Sequence, residues 1–137
     1  MRKILLLLAF VATSAVAQVK LQNVLIENRT NPVGLDTKQP RFSWQLVSDK
    51  KNVMQSAYEI KVTDESKKQV WSSGKVNSDQ SVFVPYGGSP LVSGTKYTVQ
   101  VKVWDNSNKA SNTSEGSWQT AFFDKSDWKA QWIMTSQ

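Results

Sequence analysis

The side chains able to do chemistry in this chain are carboxylates, serines and aromatics. Its 137 residues include 11 acidic side chains and 6 tryptophans, and neither histidine nor cysteine. Without histidine the commonest general base and metal ligand is missing. Without cysteine there is no thiolate nucleophile and no thiolate zinc site. The serines stand in no Gly-x-Ser-x-Gly elbow, and no Ser-x-x-Lys sits in a supporting motif. Gly87-Gly88 closes a strand pattern that no helix follows, so it is not a phosphate loop.

Two carboxylates alone suffice for glycoside hydrolysis. The candidates are Asp36, Asp49, Asp64, Glu65, Asp79, Asp105, Asp124 and Asp127, all in turns or at strand ends. Aspartate is common there because its side chain bonds the local backbone. Glu27 and Glu59 fall at strand positions with solvent parity. A catalytic pair needs a deep pocket, which a small sandwich does not offer. The expectation is therefore no catalytic, cofactor-binding or metal-binding residue.

The aromatics are the remaining handle. Trp44 is core by parity, and Trp118 pairs in register with Phe122 as a second core position. Trp104 shares parity with Lys102 and Gln100, and Phe83 with Ser81, which puts both on outer faces. Trp128 and Trp132 lie beyond the last strand. Exposed aromatics stack on the apolar faces of sugars or dock a neighbouring domain, and docking or partial burial is the favoured reading.

The elements that position these residues are strands. The dominant period is two. Residues 19–26 form a first, irregular strand. Phe42, Trp44 and Leu46 alternate with polar residues, as do Tyr58, Ile60 and Val62. Val70-Trp71 begins a short strand. Val82, Val84 and Tyr86 form another, then Tyr97, Val99, Val101 and Val103, and residues 117–123 form the last. The inward set is Phe42, Trp44, Leu46, Tyr58, Ile60, Val62, Val82, Val84, Tyr97, Val99, Val101 and Val103. About seven short strands with turn chemistry between them predict an all-β sandwich. No repeat or low-complexity tract interrupts it.

Ahead of the strands stands a leader. Met1-Arg2-Lys3 is basic, residues 4–11 are apolar, and small residues at Ala15 and Ala17 follow. This predicts a secretory signal peptide over residues 1–17, hence an exported, periplasmic or extracellular chain. The apolar run is too short for a membrane span, which needs roughly 20 residues. With no cysteine to staple it, the exported domain must fold on its core alone. The formal net charge is +6. After the leader the basic residues are scattered, with adjacent pairs only at Lys50-Lys51 and Lys67-Lys68, so no nucleic-acid partner is expected.

Leu91-Val92-Ser93-Gly94-Thr95-Lys96-Tyr97 leads into the strongest strand. A leucine, a turn glycine and a tyrosine at the strand start resemble the tyrosine corner of fibronectin-III and immunoglobulin domains. Val99 stands where antibody-type domains place their second cysteine, which favours the fibronectin-like variant.

A longer resemblance covers nearly all of the chain after the leader. Asn31-Pro32-Val33-Gly34-Leu35-Asp36-Thr37-Lys38-Gln39-Pro40-Arg41-Phe42-Ser43-Trp44 resembles the opening of the N-terminal fibronectin-like domain of bacterial α-L-rhamnosidases of glycoside hydrolase family 78. Gln55-Ser56-Ala57-Tyr58-Glu59-Ile60-Lys61-Val62, Trp71-Ser72-Ser73-Gly74-Lys75-Val76 and Ser78-Asp79-Gln80-Ser81 continue it. The stretch from Tyr97 to Asp105 and Asp127-Trp128-Lys129-Ala130-Gln131-Trp132-Ile133 complete it, in the family's order. The resemblance implies large inverting enzymes that remove terminal α-L-rhamnose with acidic residues of a distant (α/α)₆ barrel. No catalytic residue carries over to this chain. The expectation is a non-catalytic accessory sandwich over residues 18–124, with residues 125–137 starting a linker to a missing downstream domain. Its partners would be the downstream domains of the same enzyme. The alternatives are a carbohydrate-binding module using Trp104, with a glycan as partner, or an autonomous secreted interaction or adhesion domain.

Overall fold

The computed structural model describes residues 19–131 and 133. The predicted leader and Trp132 lie outside these residues. Among the described residues seven strands form: β1 (Lys20–Ile26), β2 (Arg41–Val47), β3 (Gln55–Thr63), β4 (Gln69–Ser72), β5 (Val84–Pro85), β6 (Lys96–Asp105) and β7 (Ser114–Gln119). They make two antiparallel sheets, β1-β2-β5 facing β4-β3-β6-β7. The expected sandwich is the observed fold.

Alternation explains the core. Along β6, Tyr97, Val99, Val101, Val103 and Asp105 are buried, while Thr98, Gln100, Lys102 and Trp104 stay partly open. β3 supplies Tyr58, Ile60 and Val62 to the same side. The facing sheet adds Leu21, Val24, Ile26, Phe42, Trp44 and Val84. Trp118 fills the centre, stacked on Tyr97 at 5.3 Å and tilted against Phe42 at 5.6 Å. Fully burying one such aliphatic side chain contributes about 1.5–3 kcal/mol, so a core of this size closes without disulfides.

Two buried polar devices hold the sheets in register. Trp44 Nε1 donates to Gln55 Oε1 at 2.9 Å, and Gln55 Nε2 donates to the carbonyls of Ser78 and Gln80. The tyrosine corner is also present: the Val92 amide donates to the Tyr97 hydroxyl at 2.9 Å. The free edge of β7 is covered as well. Asn31 Oδ1 accepts from the Ser117 amide, and residues 32–35 run parallel to the strand's end through the Leu35–Thr120 bridge. A paired edge cannot recruit another chain.

Several expectations about the strands need correction. Val82 is not inward but 52% exposed, because Phe83 adopts a left-handed φ of +54° that breaks the period-two pattern before Val84. Leu46 is only partly buried, packed against the edge of the core near the end of β2. The last strand runs over Ser114–Gln119, not 117–123, because the chain leaves the sheet after Thr120. Parity therefore does not carry to Phe122, which is 54% exposed while Trp118 is buried.

Tyr97→Phe should lower stability by about 1 kcal/mol, the usual loss for one hydrogen bond whose donor stays behind. Gln55→Ala should cost about 1–3 kcal/mol, because it leaves the buried Trp44 indole N–H unpaired. Urea unfolding of the two variants checks the order, with an unchanged slope showing that the fold itself is intact.

Candidate functional site

Most of the carboxylates are engaged one by one in local structure. Asp64 and Asp105 build equivalent five-residue turns. Asp64 Oδ1 accepts from the amides of Ser66 and Lys68, and Asp105 Oδ1 from those of Ser107 and Lys109. In each turn the fourth residue, Lys67 or Asn108, is left-handed. Glu65 accepts from the Lys96 amide, and Glu59 lies 3.3 Å from Lys61 Nζ. Asp36, Asp49 and Asp79 are exposed on separate loops. Glu27, expected on a strand, sits instead in a two-residue turn with Asn28, both left-handed, between Ile26 and Arg29.

Glu27 has a specific partner there. It accepts from the Arg41 backbone amide at 2.7 Å and from the guanidinium at 2.6 Å. The Arg41 side-chain hydrogen bonds hold the Glu27 carboxyl below its ordinary range. Arg41 in turn lies over the Phe83 ring, 4.6 Å from its centroid. Nothing in residues 81–83 or around Arg41 signalled this stack, because it depends on the left-handed turn at Phe83.

No pair of carboxylates shares a cavity among the described hollows, which run from about 140 to 320 Å³. Among the described residues no group of three or more acidic, histidine or cysteine side chains could hold a metal ion. Trp104 lies on the outer face of the four-stranded sheet, as its parity required. Its ring is already covered: Lys75 Nζ stands 4.5 Å from the centroid and Lys102 Nζ 5.3 Å. Lys75 is held there by Asn108 Oδ1 at 2.9 Å. A sugar ring would have to displace it.

Asn28 and Asn112, each of which opens an Asn-x-Ser/Thr triplet of the glycosylation pattern, also have structural roles. Asn28 forms the turn just described. The Asn112 side-chain amide pairs with the free edge of β1, accepting from the Leu21 N–H and donating to its carbonyl.

The remaining cluster lies where the chain leaves the sandwich. Ser93 Oγ donates to Asp127 Oδ2 at 2.5 Å and accepts from the Phe123 amide. Asp127 Oδ2 also accepts from the Asp124 amide, closing a single 3-10 turn over Lys125–Asp127. The Ser93 hydroxyl, and then the Asp124 amide, hold the Asp127 carboxyl below its ordinary value. Phe122 and Trp128 meet edge to face at 5.9 Å above this turn. Sequence reasoning placed Trp128 beyond the strands but missed Ser93, whose role rests on a contact 34 residues away.

A three-on-four sandwich with a tyrosine corner, and acidic groups bound up in turns, is a fibronectin-III/immunoglobulin-like module. Residues 21–124 match the model of the family described as Rha78A-like, N-terminal immunoglobulin domain, and the chain belongs to that family. It is 40% identical to an α-L-rhamnosidase of Formosa agariphila over 94% of this chain and 15% of that protein. It is 43% identical to an α-L-rhamnosidase of Streptomyces avermitilis over 79% of this chain and 11% of that protein. The crystal structure of the Streptomyces avermitilis enzyme complexed with L-rhamnose superimposes with a TM-score of 0.78 and 39% identity, covering 86% of this chain and 12% of that one. The chain thus spans between a tenth and a sixth of the length of these relatives. Among the described residues no helix is long and apolar enough to cross a membrane.

The Asp127 bonds carry a pH dependence with a definite sign. A carboxyl whose value is lowered by folding stabilises the folded turn above its ordinary value of 3.8, and that contribution is lost as pH falls through the lowered one. The Asp124 amide proton should therefore titrate in NMR spectra with a midpoint below 3.8, and Asp127→Asn should abolish the transition.

Proposed function

We propose that this chain is the non-catalytic N-terminal accessory module of an exported α-L-rhamnosidase, and that it packs against the domains that follow it. The observation that carries the reading is the match itself. It runs over almost the whole sandwich, yet takes up only 11–15% of rhamnosidases that are about 40% identical. The geometry supports it, since the carboxylates that bond most closely cap turns or pair with basic groups rather than face one another across a cavity. Hydrolysis of terminal rhamnose would then belong to the longer polypeptide, with the sandwich contributing stability and domain placement. Export rests on the basic and apolar leader of residues 1–17.

The purified chain should release no product from an aryl α-L-rhamnoside, and titration calorimetry with rhamnosides should give no saturable heat. The full-length product of the gene should hydrolyse the same substrate. Turnover by the chain alone, abolished by one carboxylate substitution such as Asp79→Asn, would overturn this account.

A further inference from the structure

An accessory module that packs against its neighbour needs a face for doing so, and the exposed aromatics differ in how far their own chain already covers them. Phe83 carries the Arg41 guanidinium on its ring, and Arg41 is fixed by Glu27. Trp104 carries Lys75 and Lys102. Among the described residues no cation lies over Phe122 or Trp128, and their ring contact is with each other. They meet edge to face and remain 54% and 65% exposed. Val92, on the loop that holds their segment, is 62% exposed. Beside it an apolar cleft of about 190 Å³ runs between Val70, Tyr86, Pro90 and Leu91.

This apolar end is firmly built. The Tyr97 hydroxyl fixes Val92 from below, and Thr120 Oγ1 donates to the Val92 carbonyl at 2.6 Å. Ser93 ties down both Phe123 and Asp127. Gly94 has a φ of +65°, and a Cβ there would stand 3.2 Å from the Phe122 ring. A side chain at 94 would therefore strain the backbone and crowd the ring that the segment presents. Ordering a large aromatic costs conformational entropy, and one edge contact returns little of it.

The position of the patch identifies its occupant. The patch lies on the segment through which the chain leaves the sandwich. The stretch aligned with the Formosa agariphila α-L-rhamnosidase takes in 94% of this chain, long enough that residues 122–128 fall within it, and that relative is several times longer. We propose that Val92, Phe122 and Trp128 form the contact face for the next domain of the same polypeptide, and that the Ser93–Asp127 bond sets the angle at which the chain enters it. This rests on the accessory-module reading and names the surface that the reading requires.

Hydroxyl-radical footprinting of the 137-residue chain and of the full-length gene product tests it. Oxidation of Phe122 and Trp128 should fall several-fold in the longer polypeptide, with Phe83 and Trp104 labelled equally in both. Phe122→Ser with Trp128→Ser should leave the melting temperature of the 137-residue chain nearly unchanged. In the full-length product the same pair should let the N-terminal module unfold in a separate, earlier transition. Equal labelling of Phe122 and Trp128 in both proteins, with protection elsewhere on the sandwich, would overturn the surface and leave the accessory reading standing. A reading frame that stops at Gln137, or a sandwich labelled identically throughout in both proteins, would overturn both. Protection in the isolated chain that grows with its concentration would assign the patch to a second copy and overturn the proposal.

Discussion

Tyr97 joins the inside of the sandwich to its C-terminal end. Its ring stacks on Trp118 in the centre of the core, and its hydroxyl accepts from the Val92 amide on the loop above. One side chain therefore couples the packing of two sheets to the path of residues 91–95. That path decides the rest of the end. It places Ser93 under Asp127, brings the Val92 carbonyl to Thr120, and sets Gly94 beneath Phe122. A chain without disulfides has to cross-link its layers with groups like these. The Trp44–Gln55 bond does the equivalent work at a second point, tying β2 to the start of β3 and to the carbonyls of Ser78 and Gln80.

Strict alternation made most of the fold legible. β6 follows the period-two pattern residue by residue, and β3 does so from Tyr58 onward, after a register shift between Gln55 and Ala57, because both are central strands with one face on the core. The failures fall where the backbone departs from extended geometry. Phe83 is left-handed, and a bulky residue there carries no sequence mark to distinguish it from a strand position. Asn23, also left-handed, shifts the register of β1 between Gln22 and Leu25, in a strand whose irregularity was visible. The end of β7 was misjudged because Phe122 looks like a core aromatic by type. Beyond Gln119 the backbone is held by contacts with distant segments, Thr120 and Ala121 bonding to residues 94–95 and Ala121 to Leu35, before Phe122 turns outward.

The candidate site was legible in a different sense. Residue types pointed to aromatics rather than acids, and the turn roles of Asp64 and Asp105 follow from their sequence setting. What the sequence does not display is which aromatic has a partner. Trp104 reads as an open platform on a sheet face. It becomes a covered one only when Lys75, 29 positions earlier, is folded onto it and held by Asn108. A cation over an indole satisfies the ring's negative face, so Trp104 is a poorer sugar platform than its exposure suggests.

The same physics separates the two ends of the molecule. At the end carrying the Asp105 turn, polar groups close the hairpin on itself: Asn106 exchanges bonds with Asn52 and Met54, and its neighbours bond to Asp105. Asp105 Oδ2 is the exception, buried there with no hydrogen-bond partner. At the other end the polar bonds all point inward and serve to hold the segment, while the rings they hold point out. Asp127 could have been a solvated charge like Asp36 or Asp49. Its two bonds instead fix the turn that carries Trp128 past the edge of the sandwich. A solvated tail would not need such a latch, because water accommodates an exposed chain in many conformations at no cost in order. A latch that fixes an apolar surface makes physical sense when something else completes that surface, and a domain following in the same polypeptide, as proposed, would be a body already tethered there.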